Sequence, residues 1–138
     1  MTLFFSLTTN TPMHIRMMTT HQPWASLIAD GVKRYETGVM APGYLGTIGI
    51  YASTATIRAC DHALMDGPIG EAAREAGAST GASSCYVVGA VIGIATITDV
   101  MTADQAIEQM DPERLPLETH FGSFDLGRYA WVLEDARR

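Results

Sequence analysis

Lys33 and Glu36 stand three positions apart, just after an Asp30-Gly31 pair. An ammonium held beside a carboxylate can bind a phosphate or a ring carbonyl, and a desolvated lysine can act as a nucleophile or base. Glu36 can hold the lysine in place, accept hydrogen bonds from a base edge, or serve as a general acid or base. The competing reading is an exposed ion pair, a type worth under about 1 kcal/mol. Trp24 lies close by in the chain and can stack a base or fill a core with its N–H satisfied. Tyr44 sits on a Gly-flanked loop with little core to fill, which makes it a candidate ligand contact. Tyr51 and Ser53 are spaced to share one face of a strand end. Arg128 follows Gly127 and either reaches a phosphate or pairs with Asp125 or Glu134. Trp131 alternates with Tyr129 and reads as core. The four histidines have no metal-ligand spacing, Cys60-x-His62 is a chance pair, and no metal or other cofactor is expected. No glycine-rich phosphate loop opens a helix, and no G-x-S-x-G elbow exists for a hydrolase triad.

The elements that must position these side chains are legible from local signals. Pro23 suits the first turn of a helix, and Trp24, Leu27 and Ile28 recur at i, i+3, i+4, which predicts a helix over 24–29. Asp30-Gly31 ends it. Strands are expected over 15–19, 32–36, 47–51 and 129–133, with 134–138 a polar tail. The β-branched run 86–100 reads as a strand pair or one bent strand, its Gly89 and Gly93 suited to barrel curvature. Ser53-Thr54 can cap a helix bearing Ile57, Cys60, Ala63 and Leu64; Asp66-Gly67-Pro68 breaks it, and a second helical piece over 69–76 stops at Gly77. Residues 78–84 form a small-residue loop with the composition of a lid or a connector. Thr102-x-x-Gln105 is a capping-box signature, so 103–110 should be helical. Pro112 and Pro116 keep the next segment irregular. Strands interleaved with short helices, without a βαβ period, point to an α+β barrel.

A chain of 138 residues suits one domain, and 47% hydrophobic with 17% charged residues supports a packed core over disorder. No apolar run approaches the roughly 20 residues that span a bilayer, so no membrane association is expected. Residues 1–12 read as an N-terminal extension and 13–138 as the domain. Cys60 and Cys85 are too few for a disulfide framework, which favours reduced thiols and the cytoplasm. A net charge of −6 argues against a broad, sequence-blind nucleic-acid surface. It leaves room for a small basic mouth, because His14, Arg16, His21, Lys33 and Arg34 cluster in the first third of the chain while the acids collect at 99–135.

From Gln22-Pro23-Trp24-Ala25-Ser26-Leu27-Ile28 through Gly31-x-Lys33-x-x-Glu36, the chain resembles the ASCH domain, a member of the PUA-like superfamily. Gly43-Tyr44-Leu45-Gly46 and the strand after it are similar to the family's "Y-R-G" turn. Residues 89–95 are similar to its central strand, and Gly122-Ser123-Phe124-Asp125-Leu126-Gly127-Arg128-Tyr129-Ala130-Trp131 to its closing segment. The likeness runs from about Met13 to the C-terminus in the same order. It implies a PUA-like β-barrel with short peripheral helices, with Lys33 and Glu36 facing a cleft. It also implies RNA or a nucleotide-like small ligand as partner, bound by Trp24, Lys33, Glu36, Tyr44, Tyr51 and Ser53 with Arg128 at the rim. Small relatives that deacetylate cytidine nucleosides share the lysine, which raises a hydrolase alternative, acting on modified nucleosides or RNA, with Lys33 and Glu36 as the catalytic pair. Those relatives carry threonine where Glu36 stands here. Glu36-Thr37-Gly38 and Tyr44-Leu45-Gly46 each lack an arginine usual in the family, and Tyr51 replaces a common histidine.

Overall fold

A computed structural model describes residues 2–6, 12–79 and 86–138. In chain order the elements are β1 (Thr2–Ser6), β2 (Pro12–Thr20), α1 (Trp24–Ala29), β3 (Tyr35–Gly38), β4 (Gly46–Ala52), α2 (Ala59–Asp66), α3 (Pro68–Glu75), β5 (Ala90–Thr102), α4 (Ala103–Gln109), α5 (Leu115–Phe121) and β6 (Tyr129–Arg137). The strands form one sheet in the order β1-β2-β4-β5-β6-β3. Its β2–β4 pair is parallel and the others antiparallel. The sheet curls into a half-barrel with β1 and β3 at its edges, giving an α+β fold with short helices.

Alternation sets the inner face of the curl. Met18, Ile48, Ile50, Ala95, Ile97 and Leu133 point into one core, where they meet Ala25, Ile28 and Ala29 of α1. The opposite side of α1 sends Leu27 into a second core with Val32, Met65, Ala73 and Phe121, beneath α2, α3 and α5. Residues 25–29 are therefore buried from both sides. Each fully buried Leu or Ile contributes about 1.5–3 kcal/mol, so α1, only two turns long, is held by tertiary packing and not by propensity. Close approach of α1 to the sheet depends on Gly93: a Cβ there would lie 2.7 Å from the Arg137 carbonyl oxygen and 3.1 Å from the Ala29 methyl.

The helix over 24–29 and the capping box at Thr102 form as read; Thr102 Oγ1 accepts from Gln105 N–H, and Gln105 returns the bond to Thr102 N–H. The run after 86 becomes a single strand of 13 residues over Ala90–Thr102. Elsewhere the elements shift for identifiable reasons. Residues 32–34 are not strand, because the N–H groups of Val32 and Lys33 both donate to Leu27 O at the end of α1, and the ladder begins only at Tyr35. The expected cap at Ser53-Thr54 is instead a tight turn in which Ser53 Oγ accepts from Ala55 N–H; α2 starts at Ala59. Pro116 opens α5 instead of preventing it, since the first helical turn has no use for its missing N–H. Residues 134–137 continue β6 past register shifts opposite β5, with Asp135 at φ +52°. Thr2–Ser6 of the N-terminal extension pairs antiparallel with β2. The expected loop over 78–84 lies mostly outside the described residues.

Candidate functional site

Lys33 is the only lysine in the chain, beside eight arginines, and it is 2% exposed. A buried ammonium is costly unless paired and hydrogen-bonded. Lys33 Nζ donates to the Tyr35 carbonyl and lies 3.6 Å from Glu36 Oε2. The carbonyl takes one of its three protons, and the carboxylate is an ion-pair contact beyond hydrogen-bond distance. Glu36 Oε1 accepts from Thr37 N–H at 3.1 Å, while Oε2 is buried with no hydrogen-bond partner. The pair is thus not an exposed strand-edge bridge: the cation is enclosed, and one carboxylate oxygen has only the ammonium near it.

Glu36 faces the inside of the curl. Its register partner across the β3–β6 ladder is Trp131, which packs against the core led by Ile48, Ile97 and Leu133. Trp131 in turn walls a cavity of about 440 Å³ under the 39–45 loop, together with Arg16, Tyr44, Ile48 and Ile97. The loop is tied down by Trp131 Nε1–H donating to Met40 O at 3.3 Å and by Tyr44 Oη–H donating to Thr47 O at 3.1 Å. The Arg16 guanidinium sits 4.4 Å over the Tyr44 ring, a cation–π contact at the cavity wall. The cavity therefore offers apolar floor, two aromatic rings and one cation, the mixture that suits a flat, polar-edged ligand. On the other side, the Lys33 segment borders an open depression of about 510 Å³ with Arg34, Tyr35, Arg114, Asp111 and Glu134. Burial pushes the Tyr35 phenol above its ordinary pKa, and the Glu118 carboxylate adds to the rise, partly offset by Arg114 and Arg34.

The remaining candidates are scattered around this centre. Tyr44 lines the cavity, whereas Ser53 follows the opposite end of β4, roughly 20 Å along the strand. Tyr51 alternates with the inward Ile50 and Ala52 and so belongs to the other sheet face, beside Thr19 of β2. Trp24 packs in the second core, its ring 5.9 Å from that of Phe121. Arg128 Nη2 donates to Thr37 O at 3.4 Å, and its Nε is buried without a partner. Arg16 and Trp131 were not among the expected ligand contacts. The signal for Trp131 was its placement opposite Glu36, which pairing alone reveals. For Lys33, the absence of any other lysine was a signal available in the sequence. Among the described residues, no three of His, Cys, Asp and Glu converge to hold a metal, and no helix is long and apolar enough to cross a membrane.

No family model matches the chain, and no curated protein matches it.

Proposed function

We propose that this chain is an ASCH-like module of PUA-like type that binds RNA or a nucleotide-like ligand in the cavity under the 39–45 loop. The observation that carries the reading is the enclosed Lys33–Glu36 pair, set one strand across from the Trp131 wall of that cavity. Single-stranded RNA is read by stacking and by hydrogen bonds to base edges, and the cavity offers two ring faces and a cation despite the acidic net charge. Tyr44 and Trp131 supply ring faces and Arg16 a cation for phosphate, while the Lys33–Glu36 pair stands behind Trp131, outside the cavity lining. The exposed thiol of Cys60 suits a cytoplasmic setting. A labelled single-stranded RNA should bind wild type and lose binding to Lys33→Met, with the melting curve of the mutant still cooperative. Equal affinity of the two proteins would remove Lys33 from the site.

The unpartnered Glu36 Oε2 beside an enclosed ammonium also favours a second reading, a small hydrolase of modified nucleosides or RNA with Lys33 and Glu36 as the catalytic pair. Chromatography of acetylated cytidine after incubation with the protein separates the two: turnover lost in Lys33→Met supports the hydrolase, and no product from wild type leaves binding.

A further inference from the structure

Glu118 of α5 and Arg114, the residue at its N-cap, grip the backbone on both sides of Lys33. Arg114 Nη2 donates to the Val32 carbonyl oxygen at 2.5 Å, across 82 positions of sequence. Glu118 Oε1 accepts from Arg34 N–H at 2.7 Å, across 84 positions, and also takes a 2.8 Å bond from Arg114 Nη2. The φ and ψ of Lys33 are the rotations between the two peptide planes that flank its Cα. One plane is held by Arg114 at its oxygen and by Leu27 O at its N–H. The other is held by Glu118 at its N–H. The direction in which the Lys33 side chain leaves the backbone is therefore set by the arginine–glutamate pair of a distant helix. Glu118 is itself 1% exposed, and its bonds all fall on Oε1, to Arg34 N–H and the Arg114 guanidinium.

We propose that Arg114 and Glu118 are positioning residues for Lys33: together they clamp the 32–34 segment so that the ammonium meets Tyr35 O and Glu36 Oε2. Its functional consequence rests on the ligand-binding reading above; the clamp itself does not. Because Lys33 is the sole lysine, protein labelled with ¹³Cε-lysine gives a single lysine resonance that reports on this one side chain.

The test compares wild type with Glu118→Ala, Glu118→Gln and Arg114→Met, each first shown to melt cooperatively. The Lys33 resonance should move in Glu118→Ala and in Arg114→Met, and acetylation of Nζ by acetic anhydride should speed up by about tenfold as the segment opens. Glu118→Gln, which keeps the acceptor for Arg34 N–H, should return both readouts most of the way to wild type. A helix that merely stabilises the fold would lower the melting temperature and leave the resonance and the reactivity of the folded protein unchanged; that result overturns the proposal. If Glu118→Ala does not fold, Arg114→Lys decides alone, since it keeps a cation beside the fully buried Glu118 carboxylate while losing the guanidinium that bonds both Val32 O and Glu118 Oε1. Titration of wild type with a labelled single-stranded RNA runs in parallel. Absence of RNA binding with a responsive Lys33 resonance rejects the ligand reading and upholds the clamp.

Discussion

At the scale of single residues, the chemistry concentrates on Lys33. Removing its charge leaves Glu36 Oε2, a buried oxygen with no hydrogen-bond partner, without the ammonium. Lys33→Met should therefore still unfold cooperatively but lose about 3–5 kcal/mol of stability in chemical denaturation. Tyr44 carries a different kind of contribution. Its ring offers a stacking face at the cavity wall, so Tyr44→Ala should weaken RNA binding by about 1–3 kcal/mol in an anisotropy titration. Unchanged affinity would mean that the ring serves only the loop, through its bond to Thr47 O. The residue types were legible in the sequence; their burial was not. Lys33 meets Tyr35 and Glu36, and the backbone on either side of it is bonded to Arg114 and Glu118 more than eighty positions away, a distance that no local pattern encodes.

At the scale of elements, local signals succeeded where they were self-sufficient. Trp24, Leu27 and Ile28 with Asp30-Gly31 mark α1 at both ends, and Thr102 with Gln105 marks the start of α4. Thr102→Ala should cost about 1 kcal/mol in thermal or denaturant unfolding, the usual worth of an N-cap. Signals with two meanings misled. Pro116 reads as a breaker in isolation and is a helix opener in α5, and an extended-looking 32–34 segment is spent on capping the end of α1. Gly93 has a role that curvature alone does not convey. It admits Ala29 and the Arg137 carbonyl to within contact, so Gly93→Ala should destabilise by about 1–3 kcal/mol through overpacking between α1 and the sheet. A melting temperature equal to that of wild type would show that the sheet can give way there.

At the scale of the whole molecule, the half-barrel is laced shut around α1 by charge as well as by apolar packing. Arg138 Nε donates to Asp30 Oδ1 at 2.7 Å, and Ser79 donates to Asp30 Oδ2 from both its N–H and its hydroxyl at 2.9 Å. Burial alone would raise the Asp30 pKa; the bonds from Arg138 and Ser79 outweigh it and hold the carboxyl below its ordinary value. A depressed carboxyl contributes stability that is fully present above the ordinary carboxylate range and is lost as pH falls through the folded value. Stability should thus decline from about pH 4 downward, and Asp30→Asn should be less stable at neutral pH with a shallower acid limb. Parallel acid limbs for the two proteins would show that the latch contributes nothing. The α+β class and the strand-rich barrel-like sheet could be read from alternation and turn residues. The added edge strand Thr2–Ser6 and the C-terminal latch could not, because both depend on partners that only the closed fold supplies.

The claim on which these pieces converge is that Lys33 and Glu36 floor a site for a nucleotide-like ligand beside the Trp131 cavity. The most direct measurement is the single ¹³Cε-lysine resonance of the wild-type protein, followed while short single-stranded RNA is added. The expected result is a saturable shift of the Lys33 signal, abolished or weakened in Tyr44→Ala. A resonance that stays in place while RNA binds elsewhere, or while no RNA binds at all, would contradict the assignment of this site.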